Sequence, residues 1–221
     1  MDLLAIDTAT ERCSVAARIR GEWFERSVDT PRGHADIVLS MTDEVLKQSG
    51  ARLADLDAIA FGRGPGAFTG VRIAIGVVQG LAYGAELPVI GVSNLAAVAE
   101  QVRQEDEAVL VCMDARMNEV YWAAYGGGPT RAPLQEVRSE AVGAWTSIDV
   151  DPDTIDVIAG TGLSAYPGLV ARFQKARQIV TLPRAREVLL LGEHALRAGS
   201  AATAFDAQPV YLRDQVTFVK P

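Results

Sequence analysis

Residues 69–84 constrain the fold more than any other stretch. Their periodicity predicts a helix with almost no polar face. Val71, Ile73, Ile75, Val77, Val78, Leu81 and Tyr83 surround it, and only Arg72 and Gln79 are strongly polar. A helix apolar on every side has to be covered on every side. Gly76, Gly80 and Gly84 fall four apart, on one stripe. Each glycine inside a helix costs about 1 kcal/mol, so three in line mark a close backbone approach. Two covers are open: the protein's own sheet alone, or the sheet on one side and another subunit on the other.

The turn ahead of this helix, Gly62-Arg63-Gly64-Pro65-Gly66, has the composition of a phosphate cradle, in which backbone N–H groups at a helix start face an anion. Two nucleotide fingerprints are excluded. No lysine occurs between Gly62 and Gly84, and the Gly-x-Gly-x-x-Gly pattern begun at Gly64 and Gly66 breaks at Thr69. A tight turn capped by the Thr69 hydroxyl is the plainer reading.

Along the chain, three strands at 3–6, 13–19 and 23–28 are separated by short turns and read as antiparallel. A helix at 34–48 follows, then a strand at 56–61, the helix at 69–84, a strand at 87–92 and a helix at 94–103. The acidic run Gln104-Glu105-Asp106-Glu107 reads as a joint. Beyond it the pattern starts again. Strands are expected at 108–113, 120–125 and near 134–137, with a Gly126-Gly127-Gly128-Pro129 turn between the last two. A helical piece is expected at 140–145, a strand at 156–159, and helices at 169–174 and 187–197. The expectation is an α/β fold of two ribonuclease-H-like lobes. The first covers 1–103, and a reduced second covers 104–221, with its C-terminal segment free to pack back on the first.

A formal charge of −7 suits a nucleic-acid backbone poorly. Cys13 and Cys112 sit in apolar runs and read as reduced, buried thiols. The opening Met-Asp-Leu-Leu-Ala-Ile-Asp carries no basic leader, and residues 69–84 are shorter than a membrane span, so a soluble, cytoplasmic protein without a membrane partner is expected.

Four segments resemble the TsaB (YeaZ) family: Leu3-Leu4-Ala5-Ile6-Asp7-Thr8-Ala9-Thr10, Gly62 through Arg72, Asp114-Ala115-Arg116-Met117-Asn118-Glu119-Val120-Tyr121, and Pro209-Val210-Tyr211-Leu212-Arg213. Ala67, where the family often has serine, is a small departure. The resemblance implies the two-lobed fold of actin, sugar kinases and Hsp70 (ASKHA). It implies a non-catalytic subunit that pairs with TsaD to support N6-threonylcarbamoylation of adenosine 37 (t6A) in tRNAs reading ANN codons. It further implies a ternary complex with the ATPase TsaE, a homodimer when TsaD is absent, and contact with tRNA only through the complex. In the family the helices corresponding to 34–48 and 69–84 build a four-helix bundle. The candidate interface is therefore His34, Ile37, Val38, Met41 and Val45 on the first helix. On the second it is Thr69, Arg72, Ile73, Gly76, Val77, Gly80 and Tyr83.

TsaD resembles this chain in its first lobe but holds a metal with a His-x-x-x-His pair. Asn94 and Val98 stand in those places here, and neither suits a borderline metal. His34 and His194 are far apart and read as surface or packing histidines, so no catalytic residue and no metal is expected. Asp7 and Thr8, Asp114 and Arg116, and Gly160 and Gly162 fall where the superfamily's nucleotide loops lie. The loops are abbreviated, so the expectation is weak ATP or ADP binding at the lobe crevice or partner interface, or a purely structural role, with no tightly bound cofactor. The alternatives are a stand-alone nucleotide-dependent small-molecule kinase of the same fold and a metalloprotease-like hydrolase.

Overall fold

The computed structural model describes residues 1–126 and 133–213. Two five-stranded sheets form the frame. The first contains β1 (Leu3–Asp7), β2 (Arg12–Ile19), β3 (Glu22–Asp29), β4 (Ala58–Gly62) and β5 (Val89–Val92), in the order β3-β2-β1-β4-β5. β1, β2 and β3 pair antiparallel, whereas β1, β4 and β5 run parallel. The second contains β6 (Val109–Asp114), β7 (Glu119–Gly126), β8 (Gln135–Ala144), β9 (Val157–Ala159) and β10 (Arg177–Ile179). Its order is β10-β9-β6-β7-β8, with the same strand directions. Strands β6 to β10 thus repeat β1 to β5 one for one, which gives the doubled ribonuclease-H-like architecture of the ASKHA type.

Among the described residues six α-helices cover the sheets: α1 (His34–Ser49), α2 (Phe68–Ala85), α3 (Asn94–Val102), α4 (Gly162–Ala165), α5 (Pro167–Arg172) and α6 (Ala185–Arg197). Side chains alternate across a strand, and β1 is buried on both faces. Leu4 and Ile6 meet α1 and α2 on one side, through Val38, Val45, Val71, Ala74 and Val78. Leu3 and Ala5 meet α6 on the other, through Val188 and Leu189. The second sheet repeats the scheme. Val109, Val111 and Met113 pack on Leu95 and Val98 of α3, and Leu110 and Cys112 pack on Leu163 and Leu169 of α4 and α5. α3 and α6 lie against each other, so the two inner helices form the layer between the sheets.

Two local expectations need correction. The piece at 140–145 is not an α-helix, and only its last residue, Trp145, is helical, at the start of a short 3-10 turn. Residues up to Ala144 continue β8, which pairs Ala141 with Trp122 and Val142 with Tyr121. β7 would otherwise present an open edge, and that demand outweighs local helix preference. Thr69 is not a cap either. α2 starts at Phe68 behind Ala67, and no side chain caps it. Of the expected glycine turn, Gly126 is instead the last residue of β7, paired with Gln135, and Gly127, Gly128 and Pro129 lie outside the described residues.

At 18 residues α2 is long and apolar enough, by length and composition, to cross a membrane. It instead lies on the first sheet, with Val71, Ala74, Ile75, Val78 and Ala82 turned inward.

Candidate functional site

Two surfaces collect the residues singled out from the sequence. One is a cleft of about 1140 Å³ between the lobes. It opens at the C-terminal ends of the equivalent strands β1 and β6. Ala9, Thr10 and Glu11 form one wall, Asp114, Ala115 and Arg116 the facing wall, and the turn at Pro65-Gly66-Ala67 and residues 210–213 complete it.

Asp114 and Arg116 both line this cleft. The Asp114 carboxylate accepts the Arg116 backbone N–H at 2.9 Å and the Tyr166 hydroxyl at 2.9 Å, and pairs with the Arg116 guanidinium at 3.1 Å. Hydrogen bonding to this carboxylate adds to burial in pushing the Tyr166 phenol up. Between Gly160 and Gly162, Thr161 reaches the cleft and accepts the Asp114 N–H at 2.9 Å. The two glycines themselves are buried against β6. At Gly160 the backbone has φ +114°, and a Cβ would lie 2.4 Å from the Cys112 carbonyl oxygen.

Asp7 and Thr8 do not join them; both are fully buried. The Thr8 hydroxyl donates to the Gly70 carbonyl at 2.7 Å, tying β1 to the first turn of α2. Asp7 Oδ1 accepts the Asn94 side-chain amide at 2.7 Å, and Asn94 Oδ1 accepts the Gly64 N–H at 2.8 Å. Asp7 Oδ2 has no hydrogen-bond partner among the described residues. Burial pushes this carboxyl up to about 6, against the lowering effect of its bond to Asn94. Asn94 therefore spends its amide on Asp7 and Gly64, and Val98 one turn later is closed into the core of the second sheet. The turn glycines are committed in the same way: a Cβ on Gly66 would lie 2.4 Å from the Ala9 carbonyl oxygen.

Burial also pushes the Cys13 thiol up to about 11, and the Cys112 thiol upward. Neither is a ready nucleophile. Among the described residues no three His, Cys, Asp or Glu side chains come together as a metal-binding group.

The second surface is the outer side of α1 and α2. On α2 the expected residues face outward: Thr69, Arg72, Gly76, Gly80 and Tyr83 are exposed, and Ile73 and Val77 half-buried. A Cβ on Gly76, Gly80 or Gly84 would meet nothing within 4 Å. The glycine stripe is thus bare and turned away from the protein's own sheet. α1 needs correction. Val38, Met41 and Val45 point into the first sheet and His34 is also buried, because the apolar stripe of an amphipathic helix faces the core. Of its five candidates only Ile37 is half-exposed, whereas Leu39, which the sequence reading passed over, is 54% exposed.

Two aromatic pairs flank the stripe. Phe68 stacks on Tyr211 at 6.1 Å with the Arg72 guanidinium 3.3 Å from the Phe68 ring, and Tyr83 meets Phe205 edge-on at 5.4 Å. Nothing in the sequence singles out Phe205, and Tyr211 stands out there only within the segment 209–213. Lone aromatics in an irregular C-terminal stretch give no periodic signal.

The chain matches a family model described as TsaD, tRNA N6-adenosine threonylcarbamoyltransferase, over residues 28–220. It is 40% identical to the tRNA threonylcarbamoyladenosine biosynthesis protein TsaB of Escherichia coli, across 100% of this chain and 98% of that protein. It is 39% identical to the protein of the same name from Haemophilus influenzae, across 100% and 97%. Among solved structures, YeaZ from Pseudomonas aeruginosa superposes with a TM-score of 0.83 at 41% identity, covering 95% of this chain and 100% of that one.

Proposed function

Because the chain belongs to the TsaB (YeaZ) family, we propose that it serves t6A biosynthesis as the non-catalytic partner of TsaD. One observation carries the pairing: the glycine stripe of α2 faces outward into open space, flanked by exposed Phe68 and Tyr83. Glycine in mid-helix weakens the isolated helix. A stripe of it on the outside is accounted for by a partner helix whose backbone comes nearer than the usual 8–10 Å. TsaD takes this face, a second copy takes it when TsaD is absent, and TsaE joins the pair. The tRNA is held by the complex, since a charge of −7 gives this chain little hold on phosphates. The reaction itself belongs to TsaD, because Asn94 and Val98 are already spent on structure here. ATP or ADP binds weakly at most, through Asp114, Arg116 and Thr161. The setting is the cytoplasm.

The test is Gly80→Leu. Its new side chain enters open space in the isolated protein, so the melting temperature should hold or rise. At the interface it should overpack, at a cost of about 1–3 kcal/mol, and weaken association with TsaD roughly 10- to 100-fold. Normal pairing by light scattering would sink the proposed face. In parallel, this chain incubated alone with threonylcarbamoyl-adenylate and unmodified tRNA should yield no t6A; product without a second protein would overturn the scaffold reading.

A further inference from the structure

After α6 the chain returns along the first lobe and then crosses the mouth of the cleft. Gln79 of α2 donates to the Ala207 carbonyl at 3.1 Å, and the Val210 N–H donates to the Arg63 carbonyl at 2.9 Å. Tyr211 lies on Phe68, with the Arg72 guanidinium 4.9 Å from its ring. All of these anchors belong to the first lobe. Two residues later the partners change lobe. The Arg213 guanidinium pairs with the Glu119 carboxylate, donates to the Ala115 carbonyl at 3.2 Å and reaches Met117 Sδ at 3.7 Å. Those three residues belong to the β6–β7 hairpin.

That hairpin is unusual. Arg116, Met117 and Asn118 have φ of 62°, 55° and 62°, three successive non-glycine residues in the left-handed region. Such residues visit that region singly, at a cost, and need their surroundings to hold them there. Arg213 touches the residues on either side of this run and one within it. A second tie joins the lobes: the Arg63 guanidinium grips Glu140 of β8 with two hydrogen bonds, at 3.1 and 3.2 Å. Arg63 therefore holds the strap with its carbonyl and the second lobe with its side chain. On the far side the lobes meet through α3 and α6. That arrangement is a hinge layer at the back and a fastening at the front.

We propose that residues 207–213 are a clasp that fixes the angle between the lobes, with the Arg213–Glu119 pair as its catch. The cleft in this protein is held at one width by its own C-terminal segment, which works beside two direct ion pairs between the lobes, Arg63–Glu140 and Arg116–Glu11 at 3.7 Å. Opening it further requires the Arg213 contacts to break and frees the strained hairpin to relax.

The full-length chain tests this through single-molecule energy transfer between dyes on Ser27→Cys and Lys175→Cys, one on each lobe. Both native thiols are buried, so labelling is confined to the introduced ones. High dilution keeps the molecules apart. The parent should give one narrow distance distribution. Arg213→Glu should shift it to longer, broader distances and speed amide exchange at Val210 about tenfold, the equivalent of about 1.4 kcal/mol. Adding Glu119→Arg to that variant recreates the pair with its charges exchanged, and should restore both readouts. Arg213→Glu indistinguishable from the parent would overturn the clasp. So would a charge exchange that leaves the lobes as loose as the single variant does.

Discussion

Asp7 ends β1 as a fully buried carboxyl group that faces Asn94, Gly62 and the backbone of Ala9. Its burial has a thermodynamic signature. In the folded protein the carboxyl keeps its proton up to about pH 6, whereas an unfolded aspartate loses it near 3.8. Between those values the folded state binds more protons, so stability falls as pH rises through that window and levels off above it. The full difference is about 3 kcal/mol. Asp7→Asn removes the titration. Measured by urea unfolding, the free-energy gap between variant and parent should move by about 3 kcal/mol in the variant's favour from about pH 3.5 to about pH 7.5. A gap that stays constant with pH would mean that Asp7 does not titrate as its burial requires.

At the scale of the element, α2 combines two incompatible demands. Its inner face carries Val71, Ala74, Ile75 and Val78, which fix it to the sheet. Its outer face gives up helix propensity at Gly76 and Gly80. Gly76→Ala should therefore raise the stability of the isolated chain by about 0.5–1 kcal/mol, since the added methyl meets nothing and alanine favours the helix. The same change should weaken pairing, and calorimetry on the free chain set beside titration with TsaD reads both. How far such elements show in a sequence depends on what decides them. α2, with its all-round apolar pattern, and the inner strands β1, β2 and β4 of the first sheet, buried on both faces, are written in local periodicity. The direction of the stripe was left open, because the pattern does not say which side of a helix the sheet takes. β8 was misread at 140–145 because its strand state is imposed by β7, a neighbour across the sheet. The cleft was legible only by halves. Asp114 and Arg116 announce themselves beside a strand end, but the burial of Asp7 depends on Asn94, 87 residues away, and Arg213 acquires its role only where the chain ends up.

For the whole molecule the governing fact is that the halves trade covers. α3 comes from the first half and seals the second sheet, and α6 comes from the second half and seals the first. Cut at 103/104, each piece would keep a helix it cannot use and lose the one it needs. Each should be insoluble when made alone, while the two produced together should reassemble into one particle with the parent's melting temperature; a first half that is monodisperse and folded by itself would contradict this. The exchange also sets a schedule for synthesis. The first sheet is complete by Val92, but its inner face, Leu3, Ala5, Ala58 and Ala60 among others, waits for a helix that begins at Ala185. Until that helix has been made the nascent chain carries an unsealed apolar surface. The first sheet, although its strands are all made by Val92, therefore cannot reach its final packing before the strands of the second lobe and the helix behind them have been synthesised.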